Sequence, residues 1–146
     1  MAAISIQIDS SRGWASITLR GEVRKVDVIA ALDTLYHEPR FHSGMSELWD
    51  VRHGEAILSP LELTDIVYFV SQHTDKRGKG RTAVVTGRDV DYGMARIGQV
   101  HVEEHEIELM VFRALDEAER WLEGEGEYRP QFPSAGQSDE SESKAG

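Results

Sequence analysis

The sequence predicts one α/β domain built on a mixed sheet of about five strands, an N-terminal antiparallel hairpin followed by β-α repeats. Three observations predict it. Two alternating segments open the chain back to back, strand-length apolar segments then alternate with stretches at helical spacing, and the apolar pattern stops near residue 123.

Ile4, Ile6 and Ile8 alternate with polar residues, and Ala15, Ile17 and Leu19 do the same after Ser10-Ser11-Arg12-Gly13, which reads as a hairpin with one buried face. Gly21 is expected to end the second strand. Val28, Ala31, Leu32 and Leu35 then fall at helical spacing, with Asp27 near the start and Pro39 just past the end. Glu47-Leu48-Trp49-Asp50-Val51 reads as a buried third strand, followed by a polar stretch containing Gly54. Ser59-Pro60-Leu61-Glu62 joins an N-cap serine, a proline at the first helical position and a glutamate at the third, which marks a helix start. Its core stripe is Leu63, Ile66, Val67 and Val70, and the glycines of Lys76-Arg77-Gly78-Lys79-Gly80-Arg81 are expected to stop it. A fourth strand follows at Thr82 to Thr86. Asp89 or Asp91 is expected to cap a third helix running to about Val102, and Ile107, Leu109 and Val111 alternate as the fifth strand. Asp116-Glu117-Ala118-Glu119 resembles a second capping box, with Leu115, Ala118, Trp121 and Leu122 turned to the core. Residues 1–123 are thus expected to form the domain and residues 124–146, almost free of apolar side chains, a disordered acidic tail.

Composition excludes several function classes. Without cysteine there is no disulfide, thiol nucleophile or Cys-ligated zinc, as suits a reducing cytoplasm. The first residues carry no secretory signal pattern, and no apolar run approaches the roughly 18 residues needed to span a bilayer. A net charge of -10 disfavours nucleic acid as partner.

Few residues combine into chemistry. His101-Val102-Glu103-Glu104-His105 matches an inverted zincin pattern, but it straddles the expected helix end, so no metal site is assigned. The Lys76 to Arg81 loop joins a helix to a strand, the reverse of a phosphate-binding loop, and reads as solvated charge. Asp50, Arg52 and His53 end a central strand, where open α/β sheets usually bind ligands, and Asp50 with Arg52 reads equally as a structural salt bridge. Tyr92 and Arg96, four apart on one helical face, line a pocket or pair on the surface. No local pattern suggests a Ser-His-acid triad, and no cofactor is expected.

Leu48-Trp49-Asp50-Val51-Arg52, Tyr92-Gly93-Met94-Ala95-Arg96 and the segment from Val111 to Leu122 together resemble the SpoIIAA-like bacterial family, over residues 4–123 or so. The resemblance implies a STAS-type fold and a relation to the CRAL-TRIO lipid-transfer fold. In STAS anti-anti-sigma factors a serine or threonine directly after an aspartate carries a regulatory phosphate. Here Val51 follows Asp50, which breaks that motif, and Ser59 is the nearby hydroxyl at a helix start.

The expected function is a non-enzymatic binding or regulatory module that holds a protein partner or small amphiphile. Its candidate residues are Asp50, Arg52, Ser59, Tyr92 and Arg96. Tyr68 and Phe69 widen the apolar face of the second helix, as a homodimer or partner contact would. The alternative is a small hydrolase-like enzyme with a pocket at the same strand edge, Asp50 acting as acid or base and Tyr92 or His53 assisting.

Overall fold

A computed structural model describes residues 2–124. The acidic tail expected over 124–146 lies outside them apart from Gly124. The elements are β1 (Ala3–Asp9), β2 (Trp14–Arg24), α1 (Lys25–Tyr36), β3 (Ser46–Val51), β4 (Gly54–Ile57), α2 (Pro60–Ser71), α3 (Thr74–Arg77), β5 (Thr82–Thr86), α4 (Asp89–Glu103), β6 (Leu109–Phe112) and α5 (Leu115–Leu122).

β1 and β2 pair antiparallel, with Ile6 opposite Ile17, and β2, β3, β5 and β6 follow in parallel. The sheet order is β1-β2-β3-β5-β6, with β4 paired to the far end of β2. Six strands are therefore described where about five were expected. β2 does not stop at Gly21 but runs on to Arg24, and its extension pairs Gly21 to Arg24 with Gly54 to Ile57. The turn signal of Gly54 concealed this short strand. A Cβ at Gly54 would sit 3.0 Å from the Leu19 carbonyl oxygen, so the glycine serves close strand approach and not a loop.

Strand alternation divides the apolar residues between two layers. Ala15, Ile17, Leu19 and Trp49 face a core shared with α1 and α2, including Leu32, Leu35, Val67 and Val70, and with Val102 of α4. Trp14, Leu48, Ala83 and Val85 face the opposite side and pack on Ala118 and Trp121 of α5. Because the strand order never reverses, the described residues form no switch-point crevice of the doubly wound kind at the sheet's C-terminal edge.

The helix starts show where local signals are reliable. Ser59 caps α2 as its spacing predicts: its Oγ accepts from the Glu62 N–H at 3.1 Å, and the Glu62 carboxylate accepts from the Ser59 N–H at 3.0 Å. By contrast, α4 starts after Arg88 with no side-chain cap, and Asp91 turns inward to accept from the Ala56 N–H at 3.2 Å and from Arg88 at 3.0 and 3.1 Å. α5 likewise starts after Ala114 without a side-chain cap, so neither Asp89 nor the Asp116-Glu119 pattern acts as expected. α2 ends at Ser71, ahead of the glycines, and the single turn α3 intervenes.

Candidate functional site

The Lys76 to Arg81 segment is not a uniformly solvated loop. Arg77 is only 4% exposed and Glu47 2%. The Arg77 Nε donates to the Glu47 carboxylate at 3.1 Å, and its Nη2 donates to the Thr82 hydroxyl. The other Glu47 oxygen accepts from the Trp49 indole N–H at 2.8 Å. Local chain geometry delivers the arginine: the Gly44 N–H donates to the Arg77 carbonyl at 2.9 Å, and the Glu47 N–H to the Arg81 carbonyl at 2.8 Å. The charge is neutralised within the core, which is the condition for keeping an arginine there. Arg81 also departs from simple solvation, stacking 4.7 Å from the centre of the Trp121 ring and donating to the Trp121 carbonyl at 3.0 Å.

Beside this pair lies a largely apolar cavity of about 190 Å³, between the sheet and helices α1, α2 and α4. Its sheet wall is set by period two: Glu47, Trp49 and Val51 from β3, and Thr82, Val84 and Thr86 from β5. Leu32 and Tyr36 line it from α1, and Leu63 and Val67 from α2. Ala95 and Gly98 of α4 also line it, and these small residues leave room that longer side chains would fill. A Cβ added at Gly98 would meet only Leu63, at 3.9 Å.

Among the residues that line it, Thr86 has a hydroxyl with no hydrogen-bond partner among the described residues, whereas the Tyr36 hydroxyl meets the Arg77 guanidinium, and both oxygens are fully buried. Tyr36 is 3% exposed and Thr86 1%. The Tyr36 ring is held by Phe69 at 6.3 Å and His73 at 5.0 Å between ring centres. Burial pushes the phenol pKa far up, the Glu47 charge adds to this and Arg77 opposes it, so Tyr36 stays protonated and remains a donor. Buried native hydroxyls are nearly always paired, so the unpaired Thr86 hydroxyl stands out among these residues.

The five residues expected from sequence lie at three other places, and none lines the cavity. Asp50 alternates away from Glu47 and Trp49, on the side of Leu48, and is gripped by Arg52. The Arg52 Nε donates to one oxygen at 2.9 Å, Nη2 to the other at 2.8 Å, and the backbone N–H to the first at 3.1 Å. These bonds hold the Asp50 pKa below its ordinary value against a smaller opposing effect of burial. A carboxylate so stabilised is a weak proton acceptor at neutral pH and stays ionised, which suits it to neither acid nor base duty. Ser59 is engaged as the α2 cap. The Arg96 Nη1 donates to the Tyr92 hydroxyl at 3.1 Å, and the Arg113 guanidinium lies 4.5 Å from the centre of the Tyr92 ring. His101 lies in the last turn of α4 and His105 beyond it, and no cluster of three or more metal-ligating side chains occurs among the described residues. On α2, Leu61 and Tyr68 are 75% and 67% exposed, whereas Phe69 packs inward on Tyr36. No described helix is long and apolar enough to cross a membrane.

Tyr36, Glu47, Arg77, Thr82 and Thr86 were not singled out by sequence. A period-two reading holds part of the signal, since it puts Glu47 on the same face as Trp49 in a strand otherwise read as buried, and pairs Thr82 with Thr86. The meeting of these strands with Tyr36 and Arg77 depends on tertiary packing.

No family model and no curated protein matches the chain. Among solved structures it is similar to an uncharacterized protein of the DUF3478 family with a SpoIIAA-like fold, from Shewanella loihica PV-4. The similarity covers 83% of this chain and 93% of that one, with a TM-score of 0.56 and 18% sequence identity. The chain has the SpoIIAA-like fold expected from its sequence.

Proposed function

We propose that this protein is a non-enzymatic binding or regulatory module of SpoIIAA-like type that takes a small amphiphilic ligand into the cavity between its sheet and helices α1, α2 and α4. The cavity carries the reading. At about 190 Å³ it exceeds the roughly 150 Å³ apolar cavity that admits benzene, and a close-packed core retains few voids of this size. The groups that chemistry would need are spent elsewhere: Asp50 is ionised and bound to Arg52, and the carboxylates Glu47 and Asp91 on the cavity wall are each held by an arginine.

Titration of the full chain with toluene, followed by NMR of the methyl groups of Leu63, Val67 and Val70, tests the reading. Saturable shifts at these cavity-lining residues are expected, together with their loss in Gly98→Leu, whose side chain projects beside Leu63. An unperturbed spectrum at saturating toluene would refute it.

A further inference from the structure

We propose that two copies of this chain join through the outer edge of β1, antiparallel and centred on Ile6, so that one sheet runs through both. The inference is independent of the cavity. Three observations carry it: an unprotected edge, a strand complementary to itself, and a charge pair that a second copy completes.

β1 ends the sheet, and among the described residues its sole strand partner is β2. One row of its backbone N–H and C=O groups therefore lacks a strand partner. Such edges are usually blunted by a bulge, a proline, a lysine or short length, because they otherwise recruit another strand. Here seven residues, Ala3–Asp9, pair with β2 without a break in register and include neither lysine nor proline. Their one charge, Asp9, stands at the end of the strand. Ala3, Ile4, Ser5 and Gln7 are exposed, Ile4 at 39%.

The strand also matches itself. About a two-fold axis at Ile6, Ile6 faces its own copy, Ile4 faces Ile8, Ser5 faces Gln7 and Ala3 faces Asp9, so all seven residues find partners. Isoleucine stays opposite isoleucine on the face where Ile6 and Ile8 already pack with the Ile17 and Leu19 core. Sliding one copy by one residue would set isoleucine against polar neighbours, and sliding it by two would leave end residues unpaired.

Charge selects the same register. Arg20 lies opposite Ala3 on β2, is exposed, and makes no ion pair among the described residues. In the joined copies the next residue of that row is the second copy's Asp9, about 10 Å from Arg20 between Cα atoms at ordinary strand spacing. Only the Ala3 methyl stands between them, and an extended arginine spans the gap. Hydrogen bonds from the Ser11 hydroxyl at 2.6 Å and the Arg12 N–H at 3.1 Å keep the Asp9 carboxylate ionised, and both fall on one oxygen. The axis forms two such pairs, on a molecule whose net charge of -10 otherwise drives copies apart.

Sedimentation equilibrium of the full chain at roughly 10–300 µM tests the joint. The wild type is expected to show a concentration-dependent equilibrium between monomer and dimer. Ser5→Lys with Gln7→Lys sets lysine against lysine at two crossings and should weaken the dimer at least about tenfold. Ser5→Lys with Gln7→Glu sets lysine against glutamate at the same crossings and should restore it, whereas a register centred on Ser5 or Gln7 would oppose like charges there. Both double variants alter exposed positions, and circular dichroism checks that they fold. Arg20→Gln should weaken the dimer about threefold.

A wild type that stays monomeric at the highest concentration would overturn the proposal, including the case in which β1 amides resist hydrogen exchange because another segment of the same chain covers the edge. A dimer indifferent to the double lysine variant would place the joint elsewhere, as on the exposed Leu61 and Tyr68 of α2, and overturn it equally. Loss of the dimer in both folded double variants would refute the Ile6 register, and an unchanged Arg20→Gln would refute the pairing with Asp9.

Discussion

Replacing Arg77 by methionine would strip the Glu47 carboxylate of its cation while leaving it buried at 2% exposure. The indole N–H of Trp49, at 2.8 Å, would remain as its donor, and the Thr82 hydroxyl would lose the Nη2 contact. Breaking a buried ion pair from one side typically costs about 3–5 kcal/mol, because the surviving charge has neither water nor a counter-charge. Against a usual domain stability of about 5–15 kcal/mol, that is a large fraction of the total. The expected fall in Tm is roughly 10–20 °C. Adding Glu47→Gln should recover at least about 2 kcal/mol of this loss, since the amide removes the buried charge and its oxygen still accepts from Trp49. The assay is a double-mutant cycle on urea midpoints of the full chain, with m-values checked for constancy. A loss below about 1 kcal/mol for Arg77→Met, or a double variant no more stable than Arg77→Met alone, would show that the pair is not the buried, coupled unit described here.

Three further outcomes are expected. Gly93 is exposed within α4 and a Cβ there meets nothing within 4 Å, so Gly93→Ala should raise stability by about 1 kcal/mol in urea unfolding through helix propensity alone; an unchanged midpoint counts against the helical placement. Ser59→Ala should lower stability by about 1 kcal/mol and Ser59→Asp should keep most of it, because the aspartate restores the cap acceptor for the Glu62 N–H. Asp50 has a folded pKa below its ordinary value of 3.8, so its stabilising effect is full above that value and is lost as pH falls through the lower folded pKa. Asp50→Asn should therefore be less stable than wild type at neutral pH, by about 1 kcal/mol for a partly exposed pair, with the gap closing in strong acid; a gap that widens with acidification would contradict the Arg52 bonds as its cause.

Elements whose signals are local were legible in the sequence. The Ser59-Pro60-Leu61-Glu62 start of α2 needs only four consecutive residues, and the Ile6 and Ile17 alternation needs only a hairpin. Where a residue's partner lies far along the chain, the same signals mislead. Asp91 resembles a cap, yet it is drawn to the Ala56 N–H at 3.2 Å, 35 residues away, because β4 presents that donor at the start of α4. Gly54 resembles a turn residue but belongs to a strand pressed against the Leu19 carbonyl. Arg77, flanked by lysines and glycines, resembles solvated charge, whereas its guanidinium is captured by Glu47, 30 residues earlier.

The candidate residues divide along the same line. Asp50 and Arg52 are two apart and their pairing is local, so sequence brought both to notice. Tyr36, Arg77 and Thr86 come from α1, α3 and β5, and only the stacking of those elements turns them toward one space.

By itself, the sequence determined the α/β class, the opening hairpin and the strand-helix alternation, because each follows from periodicity and short motifs within a few residues, and the SpoIIAA-like fold was expected from the resemblance of three segments to that family. The tertiary structure alone decided the unreversed strand order, the added β4 and the cavity with the buried Glu47–Arg77 pair beside it. A cavity is the volume that side chains from distant elements fail to fill. Its existence turns on small residues such as Ala95 and Gly98, which the packing of α4 on the sheet sets opposite strands far from them in sequence.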